Sequence, residues 1–181
     1  MFKKTLIATA LLGTSVILHA QAKPTATRAA SLQVGAGFSN ANTDYVPNRV
    51  NGTTIYADLD FYHHLGIEGE FRFLKDGNTN IYEKTYEIGP RYSRTYHKRF
   101  SPYVKALYGR GVFNYTYRKQ TTANLAYNLF AFGGGLDYKV LSHLNVRGEY
   151  EYQRWLGFSE PLSTPKGLTP SIITIGAAYH F

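Results

Sequence analysis

Eight stretches of this chain alternate apolar and polar residues with a period of two, the pattern of β-strands whose two faces meet different surroundings. The first, about 30–39, sets Leu32, Val34, Ala36 and Phe38 against Gln33, Gly35 and Gly37. The second, 53–62, sets Ile55, Ala57, Leu59 and Phe61 against Tyr56, Asp58 and Asp60. In 66–74, Ile67, Phe71 and Phe73 alternate with Glu68, Glu70 and Arg72; in 82–92, Tyr82, Tyr86, Ile88 and Tyr92 alternate with Glu83, Thr85, Glu87 and Arg91. The fifth, 103–117, is the least regular, and the sixth covers 125–138. The seventh, from Leu144, opposes Val146, Gly148, Tyr150 and Tyr152 to Arg147, Glu149, Glu151 and Gln153. The last, SIITIGAAYHF at 171–181, carries Ile173, Ile175, Ala177, Tyr179 and Phe181 on one side.

Between these stretches, loops rich in Asn, Asp, Pro and Gly alternate with short turns, and no segment reads as a crossover helix. An even number of antiparallel strands linked in this way predicts an all-β, eight-stranded, antiparallel up-and-down barrel. The N-terminal MFKKTLIATALLGTSVILHAQA has Lys3 and Lys4, then an apolar run, then Ala20 and Ala22 in an A-x-A pattern. This predicts a cleavable signal peptide over 1–22, with Ala20 the alternative cleavage site. A periplasmic segment over 23–29 and a barrel domain over 30–181 follow. Cys is absent, so the fold has no disulfide to draw on. The formal charge of +8 falls to +6 without Lys3 and Lys4; in an exported protein this favours anionic lipid over nucleic acid, for which no motif is present.

A soluble cup and a membrane barrel share this architecture with opposite polarity, and the charges separate them. The polar parity carries Asp58, Asp60, Glu68, Glu70, Glu87, Asp137, Glu149 and Glu151, with Arg72, Arg91, Lys105 and Arg147. The apolar parity runs for about nine residues per strand, matching the ~9–11 of a tilted membrane strand. Tyr62, Tyr82, Tyr92, Tyr103, Tyr115, Tyr138, Tyr152 and Trp155 lie near strand ends and predict two aromatic girdles. The predicted barrel is therefore transmembrane, with the charges in its lumen as a structural network.

Folding about the turn at His63–His64 places Asp60 opposite Glu68 and Asp58 opposite Glu70. The next loop brings Glu68 to Arg91 and Arg72 to Glu87. Asp137 meets Arg147, while Glu149 and Glu151 face Gly135 and Gly133. A small barrel fills its interior with its own side chains, so this network reads as a plug. No nucleophile–base pair, metal site or cofactor site emerges. Ser142 and His143 adjoin in a short turn, and paired carboxylates in a plugged lumen admit no sugar.

The terminal stretch ending Tyr179-His180-Phe181 resembles the closing strand of bacterial outer-membrane barrels, whose final aromatic belongs to an assembly signal. The chain as a whole resembles the small outer-membrane β-barrel family that includes the opacity proteins, often given porin-like names. That resemblance implies insertion by the outer-membrane assembly machinery with help from periplasmic chaperones. It also implies termini in the periplasm, loops outside the cell, and Tyr179 and Phe181 as the assembly signal. Expected contacts are outer-membrane lipids and lipopolysaccharide, met by rim cations such as Arg49, Lys75, Lys84, Arg118, Lys119, Arg154 and Lys166, and an extracellular ligand held by the loops. The expected function is a non-enzymatic structural or surface-binding barrel. The alternatives are a small ion or solute pore and a lipid A-modifying enzyme.

Overall fold

The computed structural model describes residues 30–44, 48–62, 64–77, 81–117, 121–157 and 168–181; for 115–117 and 121–124 it describes the backbone alone. The expected signal peptide, its cleavage site and the segment 23–29 lie outside these residues, as does His63. Eight strands follow in order: β1 Ser31–Asn42, β2 Val50–Tyr62, β3 Leu65–Lys75, β4 Tyr82–Ser93, β5 Phe100–Tyr117, β6 Thr121–Leu141, β7 Leu144–Trp155 and β8 Ser171–His180. Each pairs antiparallel with its neighbour, and β1 pairs with β8, so the sheet closes into a barrel without an edge. Closure satisfies the backbone of every strand, which is what allows a sheet to sit in hydrocarbon.

The period-two pattern becomes an inside and an outside. Along β2, Thr54, Tyr56 and Asp58 are buried while Ile55, Ala57 and Leu59 are exposed. The outer wall carries Phe38, Ile88, Val104 and Ile175 at 58%, 62%, 60% and 65% exposure. A continuous apolar belt of this kind has its place in lipid rather than water. At one end of the barrel lie His64, the turns 94–99 and 142–143, the start of β1 and the end of β8; at the other lie the end of β1, the start of β8 and the strand ends at Val50, Lys75, Tyr82, Tyr117, Thr121 and Trp155.

Register differs from the expectation by two residues on β2 and β3. Asp58, not Asp60, faces Glu68, and Tyr56 faces Glu70. Glu70 faces Glu87, Arg72 faces Thr85, and Arg91 faces Gly66. A bulge between Asp60 and Tyr62 offsets the β2–β3 pairing. A slip of two keeps every side chain on its own face, so the polarity of the wall is untouched. Asp137 opposite Arg147, Glu149 opposite Gly135 and Glu151 opposite Gly133 occur as expected. The β5–β6 hairpin is longer than its pattern indicated, pairing as far as Tyr117 with Thr121. At 21 residues, β6 is about twice what the membrane requires.

Candidate functional site: the packed lumen

The structure gathers the twelve charged residues expected in the lumen into one ion-pair network with two levels; Glu83, on the same parity, is buried nearer the loop end. Nearer the turn end, Arg147 from β7 contacts Asp58 at 2.5 Å, Asp137 at 2.7 Å and Glu68 at 3.3 Å. Arg91 from β4 contacts Asp137 at 2.6 Å and lies 3.4 Å from both Glu68 and Asp60. Tyr103 projects between these cations: its ring centroid is 4.3 Å from the Arg91 guanidinium carbon and 4.6 Å from that of Arg147. Its hydroxyl donates to Glu149. The Tyr56 ring covers the Arg147 guanidinium at 3.9 Å. Such stacking suits the planar, weakly hydrated guanidinium.

On the second level, Lys105 Nζ lies 2.5 Å from Glu70, 2.7 Å from Glu68, 2.8 Å from Glu149 and 2.9 Å from Glu151. Arg72 pairs with Glu70 and, at 2.6 Å, with Glu151; Glu149 and Glu87 stand at 3.8 Å and 3.9 Å. Glu68, Glu70 and Glu149, and separately Glu70, Glu87 and Glu151, bring carboxylate oxygens within 4.8 Å of one another, a spacing that suits a metal ion. Lys105 and Arg72 fill those two positions, so side-chain cations stand where a metal would. The four cations arise on β3, β4, β5 and β7 and reach acids across the barrel, which only inward-facing positions of a closed sheet permit.

Neutral residues finish the plug. Gln33 donates to Asp58 at 2.6 Å, and Asn145 donates to Gln33 at 2.8 Å. Gln153 donates to Glu87 at 2.8 Å and accepts from Trp155 Nε1 at 3.0 Å. Ser39 lies 2.5 Å from Thr54 and 2.8 Å from Thr174. Towards the loop end the lumen turns apolar. Ile81, Leu107, Phe113, Leu129, Ala131, Trp155 and Leu168 form one cluster, and Ala41, Val50, Leu74 and Ile172 another. Two layers therefore stack along the axis: the ion-pair network towards the turns, and towards the loops a mainly apolar layer in which Glu83, paired with Leu74 and Phe113 on the neighbouring strands, is also buried.

Two members of the expected girdles belong to this interior. Tyr103 is 3% exposed and Trp155 is 2% exposed. Tyr103 shares parity with Lys105, and Trp155 with Glu151 and Gln153; nearness to a strand end suggested the membrane interface, but parity set the direction. Tyr62, Tyr92 and Tyr152 are exposed on the outer wall, with Tyr82 and Tyr138 half-buried there; the Tyr115 side chain lies outside those described. Interior residues that the expected network left out are Gln33, Tyr56, Glu83 and Gln153, all on the polar parity, and the apolar layer around Phe113, Leu129 and Trp155. Parity was the signal that could have found them.

At the turn end Ser31 Oγ lies 2.6 Å from His180 Nε2, and His143 Nδ1 lies 3.1 Å from the His180 carbonyl oxygen. Phe181 donates its backbone N–H to Leu32, and its ring meets Tyr179 edge-on at 4.9 Å. Below Arg91 and Asp137 the lumen opens into a vestibule of about 440 Å³.

An eight-stranded closed barrel with a lipid-facing apolar wall and a charged, packed lumen defines an integral outer-membrane β-barrel protein. Residues 8–181 match the outer membrane protein beta-barrel domain family, and the chain belongs to it; its place is the outer membrane of a Gram-negative cell. Among solved structures it is similar to Neisserial surface protein A, at 13% identity and a TM-score of 0.67, over 84% of this chain and 97% of that one. It is also similar to Ail of Yersinia pestis, in complex with the heparin analogue sucrose octasulfate, at 18% identity and a TM-score of 0.54 over 84% and 97%. OprG of Pseudomonas aeruginosa follows at 13% identity and a TM-score of 0.58, over 84% and 96%. At these identities the likeness is one of fold. No curated protein sequence matches.

Proposed function

We propose that this is a non-enzymatic, membrane-stabilising barrel that works through its outer wall and extracellular surface while its lumen stays closed. The observation that carries this reading is the two-layer plug. The ammonium of Lys105 lies within 2.9 Å of four carboxylates, and the cluster around Trp155 and Phe113 lies above it. An ion would have to displace buried, paired charges and then pass the packed cluster around Phe113 and Trp155, both at high cost.

The outer wall supports the second half of the reading. Among the described residues, the outward strand positions carry no carboxylate, while Lys75, Lys84, Arg110 and Arg154 face out towards the loop end. Lys84 Nζ sits 5.1 Å from the Tyr82 ring centroid and 5.7 Å from that of Phe73, a cation held at the aromatic boundary of the belt. These cations suit the phosphates of outer-leaflet lipopolysaccharide. By contrast, Ser142 and His143 belong to a periplasmic turn, away from that leaflet, so a lipid A-modifying reading has no support from them. Insertion through the assembly machinery, signalled by Tyr179 and Phe181 after export, is part of the same proposal.

Planar bilayer recording tests the closed lumen: the purified barrel should show no stable single-channel openings, and openings that disappear on Glu149→Ala would establish a pore instead. Co-purified lipopolysaccharide tests the wall. Charge reversal at Lys84, Arg110 and Arg154 should reduce the amount retained, and unchanged retention would remove that partner.

A further inference from the structure

We infer that the periplasmic vestibule is a binding site for a small peptide ligand, one bearing a free carboxylate and a free ammonium group. This goes beyond the closed-barrel reading and does not depend on it. The vestibule has a volume of about 440 Å³, inside the range of small-ligand sites, and it opens only below the floor made by Arg91 and Asp137.

Its charges are unevenly satisfied. Asp137 is held by Arg91 at 2.6 Å and Arg147 at 2.7 Å, so the floor is internally paired. Lys98 and Lys139, which line the same cavity, make no ion pair with any described residue. The backbone ties their two elements together: Lys139 donates its N–H to the carbonyl of Arg99, the residue after Lys98, at 2.9 Å. Lysine ammonium groups lining one cavity suit a carboxylate. On the other side of the cavity stands Asp60, whose side chain is 34% exposed and whose contacts to Arg91 are long, at 3.4 Å. That carboxylate accepts from an N–H and repels a phosphate, so the cavity favours a peptide or amino acid over a purely anionic ligand.

The turn carrying Lys98 adds an independent observation. His97 and Lys98 have φ of 49° and 59°, and Arg99 N–H donates to Tyr96 O at 3.1 Å in a tight turn closed by the Tyr96–Phe100 bridge. Two consecutive left-handed residues are the geometry that Asn-Gly adopts without strain. Here they are His and Lys, and at position 98 a glycine would hold the same turn at lower backbone cost.

The test uses the full barrel in lipid nanodiscs, titrated with triglycine, its C-terminal amide and inorganic phosphate. Triglycine should bind, and both the amide and phosphate should bind at least tenfold more weakly. Lys98→Glu with Lys139→Glu should weaken triglycine at least tenfold. Asp60→Asn should weaken triglycine but leave N-acetyl-triglycine unchanged. Lys98→Gly supplies a variant that suits the left-handed turn: it should raise the thermal midpoint while lowering triglycine affinity. Equal binding of the amide, equal binding of phosphate, or affinity indifferent to Lys98→Gly would each overturn the assignment.

Discussion

Gly35 on β1 faces Tyr56 on β2, and the phenol ring occupies the space in which a β-carbon at position 35 would stand. That ring in turn covers the guanidinium of Arg147, 3.9 Å away. A missing side chain on one strand thus gives room to an aromatic on the next, which seats a cation from the far wall of the barrel. The lumen is full because the glycines around it are distributed to make it so. Gly111 does the same for the Trp155 indole, and Gly133 brings its backbone close to the Lys105 stem.

Gly35→Ala should therefore act through Tyr56 rather than through its own strand. Displacing the ring from Arg147 is an overpacking event, costing about 1–3 kcal/mol. Equilibrium unfolding by urea in lipid vesicles measures it. A second variant, Gly35→Ala with Tyr56→Leu, should recover part of the loss because the clash is gone. No recovery would show that Gly35 matters for another reason.

Lys105→Met should be among the most destabilising single changes in the barrel. It leaves Glu68, Glu70, Glu149 and Glu151 without their shared ammonium, and breaking a buried ion pair from one side costs about 3–5 kcal/mol. Lys105→Met combined with Glu70→Gln should cost less than the two changes summed, since each removes part of what burdens the other. Urea midpoints for the four proteins of the cycle give the coupling, and simple additivity would mean that the two groups do not interact.

Trp155→Ala separates the two layers of the plug. The change opens a cavity in the apolar cluster and removes a donor to Gln153, with a cost of about 3–5 kcal/mol. The charge layer beneath stays intact, so bilayer recordings should remain silent although the protein unfolds more easily. Conductance in this variant would place the seal in the apolar layer alone.

Removing Phe181 should impair assembly more than replacing its neighbour. The residue contributes a backbone bond to Leu32 at the β1–β8 seam and an edge-on contact with Tyr179. His180→Ala loses a side-chain hydrogen bond to Ser31, about 0.5–1.5 kcal/mol, and leaves the aromatics in place. Heat-modifiable mobility of outer-membrane fractions should show less folded barrel for the Phe181 deletion and near-normal amounts for His180→Ala.

The faces of this barrel are legible in the sequence because period two is a local property: Asp58, Glu68, Arg72 and Arg147 need only their flanking residues to be assigned inward. Tyr103 and Trp155 were legible by the same rule and were misplaced only where position along the strand was weighed above parity. Register was not legible to the residue, since a slip of two along β2–β3 or β3–β4 leaves the alternation unchanged; the bulge between Asp60 and Tyr62 shows only locally, where Phe61 and Tyr62 are both exposed. Least legible was who pairs with whom inside. Arg72 meets Glu151, 79 residues away, and Arg91 meets Asp137, 46 residues away. Those contacts cross the lumen between strands that share no ladder, so they exist only once β1 and β8 have closed the ring. Alternation along the chain decides which side of a wall each residue occupies; closure of the wall decides which residues meet within it.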